Sequence, residues 1–184
     1  MVKLIIGLGN PGKKYDGTRH NVGFLVADAL VQHDGNKWTR GKGSFLVSER
    51  SFGNGEALVA KPTLFMNESG RAVKAILDQY GVSPDQSLIV IDDVNLPVGK
   101  VRFRLRGSSG GHHGLESIME ILGTGNFPRL RLGVGAGDLS GQDLTNFVLG
   151  PFSKAEQALL EPEIERARRA CLEWVETGSV SVVS

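Results

Sequence analysis

The chain has 184 residues, a net charge of +1 and a single cysteine. That length supports one good-sized hydrophobic core, and no Pro/Ser-rich linker or charge block divides it, so one domain over residues 1–184 is expected. One cysteine excludes an internal disulfide, and neither a signal-peptide start nor a run of roughly 18 apolar residues is present, so a cytoplasmic protein without membrane attachment is expected.

Val2, Leu4, Ile5 and Ile6 form a nearly continuous apolar run ended by Gly7, which predicts a strand buried on both faces in a mostly parallel sheet. Open sheets of that kind bind ligands beyond the carboxyl ends of their strands. Gly7, Gly9 and Gly12 also spell G-x-G-x-x-G, but Gly12 leads into Lys13-Lys14-Tyr15-Asp16-Gly17-Thr18, too polar and glycine-broken for the packed helix of a dinucleotide site. A long catalytic loop is the better reading. The next helix should start near Asn21 and bury Phe24, Leu25, Ala29 and Leu30.

Residues 44–49 and 56–60 read as strands joined by Gly53-Asn54-Gly55, a strong hairpin signal, and should pair antiparallel. Beyond Lys61-Pro62 a helix carries Ala72, Val73, Ile76 and Leu77 and stops at Gly81, with Asn67 at its mouth. By residue type alone Asn67 is an N-cap. Residues 87–91 form the second clear buried strand and deliver Asp92 and Asp93 to a carboxyl end, next to the first loop. A solvated turn is the plain alternative for this acidic pair.

From Lys100 the chain alternates, with Val101, Phe103 and Leu105 on one face and Arg102, Arg104 and Arg106 on the other. Between Lys100 and Arg131 six Lys/Arg stand against two Glu, whereas residues 153–184 carry four against six. An RNA partner would therefore be held by a patch and not by the field of the whole molecule. A solvated strand face, or protection of a sheet edge, explains the arginines as well. Gly107 to Gly114 then leads into an amphipathic helix through Leu115, Ile118, Met119 and Leu122. Residues 129–134 read as the next strand, with Arg129 and Arg131 on its polar face. Residues 135–152 read as a mobile flap. Ser153 with Glu156 makes a capping box for a C-terminal helical segment, 153–177, that Pro162 should kink or divide. Cys171 within it reads as a small packing residue.

The lone cysteine has no loop context, so water is the expected nucleophile. His20, Asp92, His112 and His113 offer metal ligands, but two adjacent histidines on a glycine loop match no common zinc spacing. Metal-free general base catalysis remains, with His20 taking a proton from water and Asp92 orienting the ring. A helix cap or a packed residue is the plain alternative for His20.

The run GLGNPGxxYxxTRHNxG resembles the signature of bacterial peptidyl-tRNA hydrolases, and further matches extend from Val2 to about Trp174. The resemblance implies an α/β single domain with a twisted mixed, mostly parallel sheet flanked by helices. It implies hydrolysis of the ester joining a peptide to the terminal adenosine of tRNA, by a monomer acting on peptidyl-tRNA with no cofactor, metal or membrane. It further implies that His20 of TRHN is the base, that Asp92 is its acid partner, and that Asn10 and Asn67 hold the peptide and the ester carbonyl. Tyr15, Phe65 and Met66 match residues lining the site, and Arg102, Arg104 and Arg131 match basic residues that grip tRNA phosphates. At His113 the chain departs from the pattern, reading GGHHG where the family has GGHNG, with an asparagine that helps place substrate. A non-catalytic RNA-binding role, as in splicing relatives from plant organelles, is the alternative that the same resemblance leaves open.

Overall fold

The computed structural model describes residues 2–33, 35–52, 55–135 and 137–181. A seven-stranded sheet lies between two helical layers, in the order β2-β3-β4-β1-β5-β7-β6. The strands are β1 (Lys3–Gly7), β2 (Thr39–Arg40), β3 (Phe45–Phe52), β4 (Gly55–Pro62), β5 (Ser87–Pro97), β6 (Val101–Arg104) and β7 (Arg129–Gly135). The central four, β4-β1-β5-β7, run parallel, while β2, β3 and β6 add antiparallel pairings at the two sides. The turn residues Gly53 and Asn54 of the expected hairpin lie outside the described residues, as does Ala136 of the expected flap.

Alternation along β1 divides the core. Ile5 packs with α1 (Val22–His33) and α5 (Lys154–Thr177) through Val26, Leu30, Cys171 and Trp174. Leu4 and Ile6 face α2 (Ser69–Tyr80) and α3 (His113–Leu122) through Val73, Ile76, Leu115 and Ile118. The buried side of α1 is Val22, Val26, Ala27, Leu30 and Val31, so of the expected set only Leu30 is fully buried. The reason is the helix entry: a Cβ on Gly7 would lie 2.2 Å from the Gly23 carbonyl oxygen, and one on Gly23 would lie 2.5 Å from that of Val90. Backbone contact at that glycine pair rotates α1 so that Gly23, and not Phe24, faces the sheet.

The solvated-turn alternative for Asp92 and Asp93 does not hold, because β5 continues through them to Pro97 and both are buried. The alternation of β6 ends at Arg104, beyond which Leu105 is exposed. Pro162 does not divide the C-terminal segment, since α5 runs unbroken from its Ser153–Glu156 capping box to Gly178. Pro162 sits on the exposed side of α5, where water can satisfy the carbonyl its missing N–H leaves behind.

Glu163, one residue on, is wholly buried beneath the β5–β6 turn, where Oε2 accepts from the Gly99 N–H at 3.1 Å and Oε1 has no well-formed hydrogen bond among the described residues. Burial pushes its carboxyl up from 4.5 to about 7, against the Gly99 N–H and the Arg166 guanidinium. A raised folded value means the proton stabilises the fold, so stability falls as pH climbs from 4.5 towards 7. Glu163→Gln is therefore expected to stabilise the protein by roughly 1–3 kcal/mol at pH 8 and little at pH 5. Thermal melts at the two pH values check this, and an equal shift at both would contradict it.

Candidate active site

The site lies at the carboxyl ends of β1 and β5. Asn10 is held by a reciprocal pair of hydrogen bonds with Asn21, Asn10 N–H to Oδ1 and Asn21 Nδ2 to the Asn10 carbonyl, both 2.9 Å. Its side-chain Oδ1 accepts from the Met66 N–H at 2.7 Å, which leaves the Nδ2 amide as the group it offers to the cavity. His20 sits in a 3-10 turn, Arg19–Asn21, just before α1, and is 7% exposed. Its Nδ1 lies 2.8 and 2.9 Å from the two carboxylate oxygens of Asp92. An anionic carboxylate only accepts, so Nδ1 carries the proton and Nε2 is the bare nitrogen.

Asp92 has a second imidazole partner that sequence reasoning passed over. His112 Nε2 lies 2.9 Å from Asp92 Oδ1, while its Nδ1 accepts from the Gly114 and Leu115 N–H groups at 3.1 and 3.3 Å and so caps α3. One signal was available: α3 follows GGHHG with no Ser, Thr, Asp or Asn to cap it, which leaves the histidine to do so. Burial alone would raise the Asp92 carboxyl, but attraction to His112 and His20 and the hydrogen bonds from both rings outweigh it and hold it below its ordinary range.

The ligand atoms of His20, Asp92 and His112 lie within 4.8 Å of one another, near enough to raise the question of a metal ion. The donor chemistry does not fit one. Two N–H groups aimed at His112 Nδ1 require the proton on Nε2, the nitrogen a metal would need. Moving that proton to Nδ1 would set three donors against each other.

A cavity of about 390 Å³ opens over these groups. Asn10, His20 and Asp92 line it, and Tyr15, Phe65 and Met66 form one side, with the Tyr15 and Phe65 rings edge to face at 6.1 Å. Asn67 lines it too and caps neither its own 3-10 turn nor α2. His113 lies at the rim, largely exposed, with Nδ1 3.2 Å from Glu116 one turn along α3. The opposite wall is α4 (Leu144–Val148), which contributes Leu144, Thr145 and Val148. Arg19 fastens that wall to the His20 turn: its guanidinium donates to Glu156 at 2.9 and 3.2 Å and lies 4.2 Å from the Phe147 ring centre.

The arginines separate. Arg102 and Arg104 are exposed on β6, the edge strand, and do not line the cavity. Arg131 does, but it is partly covered, paired with Asp93 at 3.3 Å and donating to the Ser108 carbonyl at 3.1 Å. Arg129 is not on a polar face at all. It is fully buried and donates to the carbonyls of Gly107, Ser108, Gly125 and Phe127. Burial, with repulsion from Arg131, lowers its guanidinium to about 10, still charged at neutral pH.

A family model described as peptidyl-tRNA hydrolase matches residues 4–184. The peptidyl-tRNA hydrolase of Aquifex aeolicus is 46% identical over 180 residues, 95% of this chain and 91% of that protein. That of Listeria welshimeri is 43% identical over 183 residues, 100% of this chain and 98% of that one. Among solved structures, peptidyl-tRNA hydrolase from Acinetobacter baumannii superposes with a TM-score of 0.88 at 31% identity, covering 96% of this chain and 89% of that one. Identity at this level runs almost end to end through the segments that build the cavity, and the chain belongs to the peptidyl-tRNA hydrolase family.

Proposed function

We propose that this protein hydrolyses the ester between a peptide's C-terminal carbonyl and the terminal ribose of tRNA, with His20 as general base and without a metal. The observation that carries the reading is the Asp92–His20 pair in a cavity that the Asn10 side chain also lines, its Oδ1 already accepting from the Met66 N–H so that its Nδ2 is left to donate. Water bound at His20 Nε2 loses its proton as its oxygen attacks the carbonyl carbon. Negative charge gathers on the carbonyl oxygen, where Asn10 Nδ2, with Asn67 near the rim, can donate without competing for the proton. Collapse of the tetrahedral intermediate breaks the bond to the ribose oxygen, and the His20 imidazolium returns the proton to that leaving group. Asp92 stabilises the imidazolium in between.

The walls suit the rest of the substrate. Met66, Leu144 and Val148 offer apolar contact to a peptide, which a free amino group would enter only by losing its hydration. This supports a preference for N-acylated substrates, with Tyr15, Phe65 and His113 around the mouth. The reading further takes residues 135–152 as a flap and a cytoplasmic monomer as the working form. Among the described residues no helix is long and apolar enough to cross a membrane. The test is release of labelled peptide from N-acetyl-aminoacyl-tRNA, beside untreated aminoacyl-tRNA and with EDTA present. Release from the first alone, unaffected by EDTA, is expected; tRNA binding without release would leave only a non-catalytic RNA-binding role.

Arg102 and Arg104 supply the phosphate grip in this reading, since both are exposed on one edge strand outside the cavity. Arg131, already paired with Asp93, contributes from inside it. Changing Arg102 or Arg104 to glutamine is expected to lower the slope of log K against log salt by about one each and to raise KM more than it lowers kcat. Unchanged slopes in both variants would return these residues to a solvated strand face.

A further inference from the structure

His112 spends one ring nitrogen on the helix behind it and the other on the carboxylate in front. Its Nδ1 receives the Gly114 and Leu115 N–H groups, and backbone amides cannot be turned away. The only proton on the neutral ring is therefore on Nε2, 2.9 Å from Asp92 Oδ1. That is the same oxygen that faces His20 Nδ1 at 2.8 Å, while Oδ2 meets only His20 among the described residues. From this geometry we propose that His112 is a positioning residue, locked by the N-terminus of α3 in the Nε2–H tautomer, whose one proton fixes the rotation of the Asp92 carboxylate so that both oxygens serve His20.

The surroundings leave the lock undisturbed. Asp92 on β5 and His20 before α1 are the titratable groups facing the ring, and the two imidazole centres lie 5.0 Å apart at 51°. His113 and Glu116 pair with each other on the exposed side of α3, and Asp93 is taken by Arg131. The Nε2–H of His112 gives Asp92 a directed hydrogen bond on one oxygen and leaves the other facing the imidazolium that forms on His20. The same tautomer excludes a transition metal from the three-residue cluster.

The proposal rests on His20 being the base, and its tests are chosen to fail separately from that reading. The first uses the free protein without substrate: long-range ¹⁵N–¹H correlation of the imidazoles should show His112 protonated at Nε2 and bare at Nδ1. A proton on Nδ1 would overturn the lock whatever the enzyme's activity. The second uses His112→Asn and His112→Ala. Asparagine is a strong N-cap but too short to cap α3 and reach Asp92 at once, so it keeps the helix and removes the donor. His112→Asn is expected to melt close to the parent while kcat falls by about tenfold to a hundredfold and KM stays within about twofold. His112→Ala should show the same fall in kcat together with a lower melting temperature. Parental kcat in His112→Asn would reduce His112 to a helix cap and end the proposal.

Discussion

Replacing His20 with alanine is expected to lower kcat by roughly 10²- to 10⁴-fold, the usual worth of a positioned general base, while affinity for tRNA stays within about twofold. The split follows from where the residue sits. His20 is buried on the cavity floor against Asp92, whereas the exposed arginines that would grip phosphates lie on β6. Alanine also leaves the Asp92 carboxylate with one imidazole partner, His112, in place of two, so a modest loss of stability should accompany the loss of rate. Single-turnover hydrolysis at saturating enzyme separates chemistry from binding. A variant retaining more than half of the parental rate would remove His20 from the mechanism.

What was legible in the sequence was what depends on short-range pattern. The buried runs at 4–6 and 87–91 became the parallel strands β1 and β5, because a strand covered on both faces must be apolar at consecutive positions. The Ser153–Glu156 box marked the start of α5 for an equally local reason. Misreadings arose where distant segments decide. Arg129 alternates with leucines like a surface residue, but four carbonyls from residues 107, 108, 125 and 127 converge on it and satisfy a buried guanidinium. Arg131 looked like its neighbours on β6 until Asp93 was found beside it. His20 and Asp92 followed from the absence of another nucleophile and base, and the family motif added Asn10 and the role of each. No spacing says that residues 20 and 92 will touch, and that contact follows from β1 and β5 being adjacent and parallel. The role of His112 was not legible because it depends on a distant carboxylate, Asp92 on β5, and on the backbone N–H groups of α3 meeting at one ring.

Asp92→Asn should be nearly as damaging as loss of the base itself, with kcat lower by about 10²- to 10⁴-fold, although the amide has the shape of the carboxylate. The asymmetry of the two oxygens decides this. His112 presents an N–H to Oδ1, so an asparagine will turn its carbonyl oxygen that way and place its NH₂ at the former Oδ2, 2.9 Å from His20 Nδ1. An Nδ1–H would then face that donating NH₂ at 2.9 Å, and although the carbonyl oxygen at the former Oδ1 still lies 2.8 Å away, it already accepts from His112, so the His20 proton is expected to shift to Nε2, the nitrogen that should receive the water's proton. The ring is then well placed and in the wrong tautomer. Stability should respond in the opposite sense to that of Glu163. The Asp92 carboxyl is held below its ordinary value of 3.8, so its contribution is present above that pH and is lost as pH falls through the lowered folded value. The parent should therefore lose more stability than Asp92→Asn on acidification below about pH 4, where unfolded carboxyls begin to take up protons. Imidazole ¹⁵N shifts in the variant report the tautomer directly. A His20 ring still protonated at Nδ1, with kcat within about tenfold of the parent, would show that Asp92 contributes neither tautomer nor charge to the reaction.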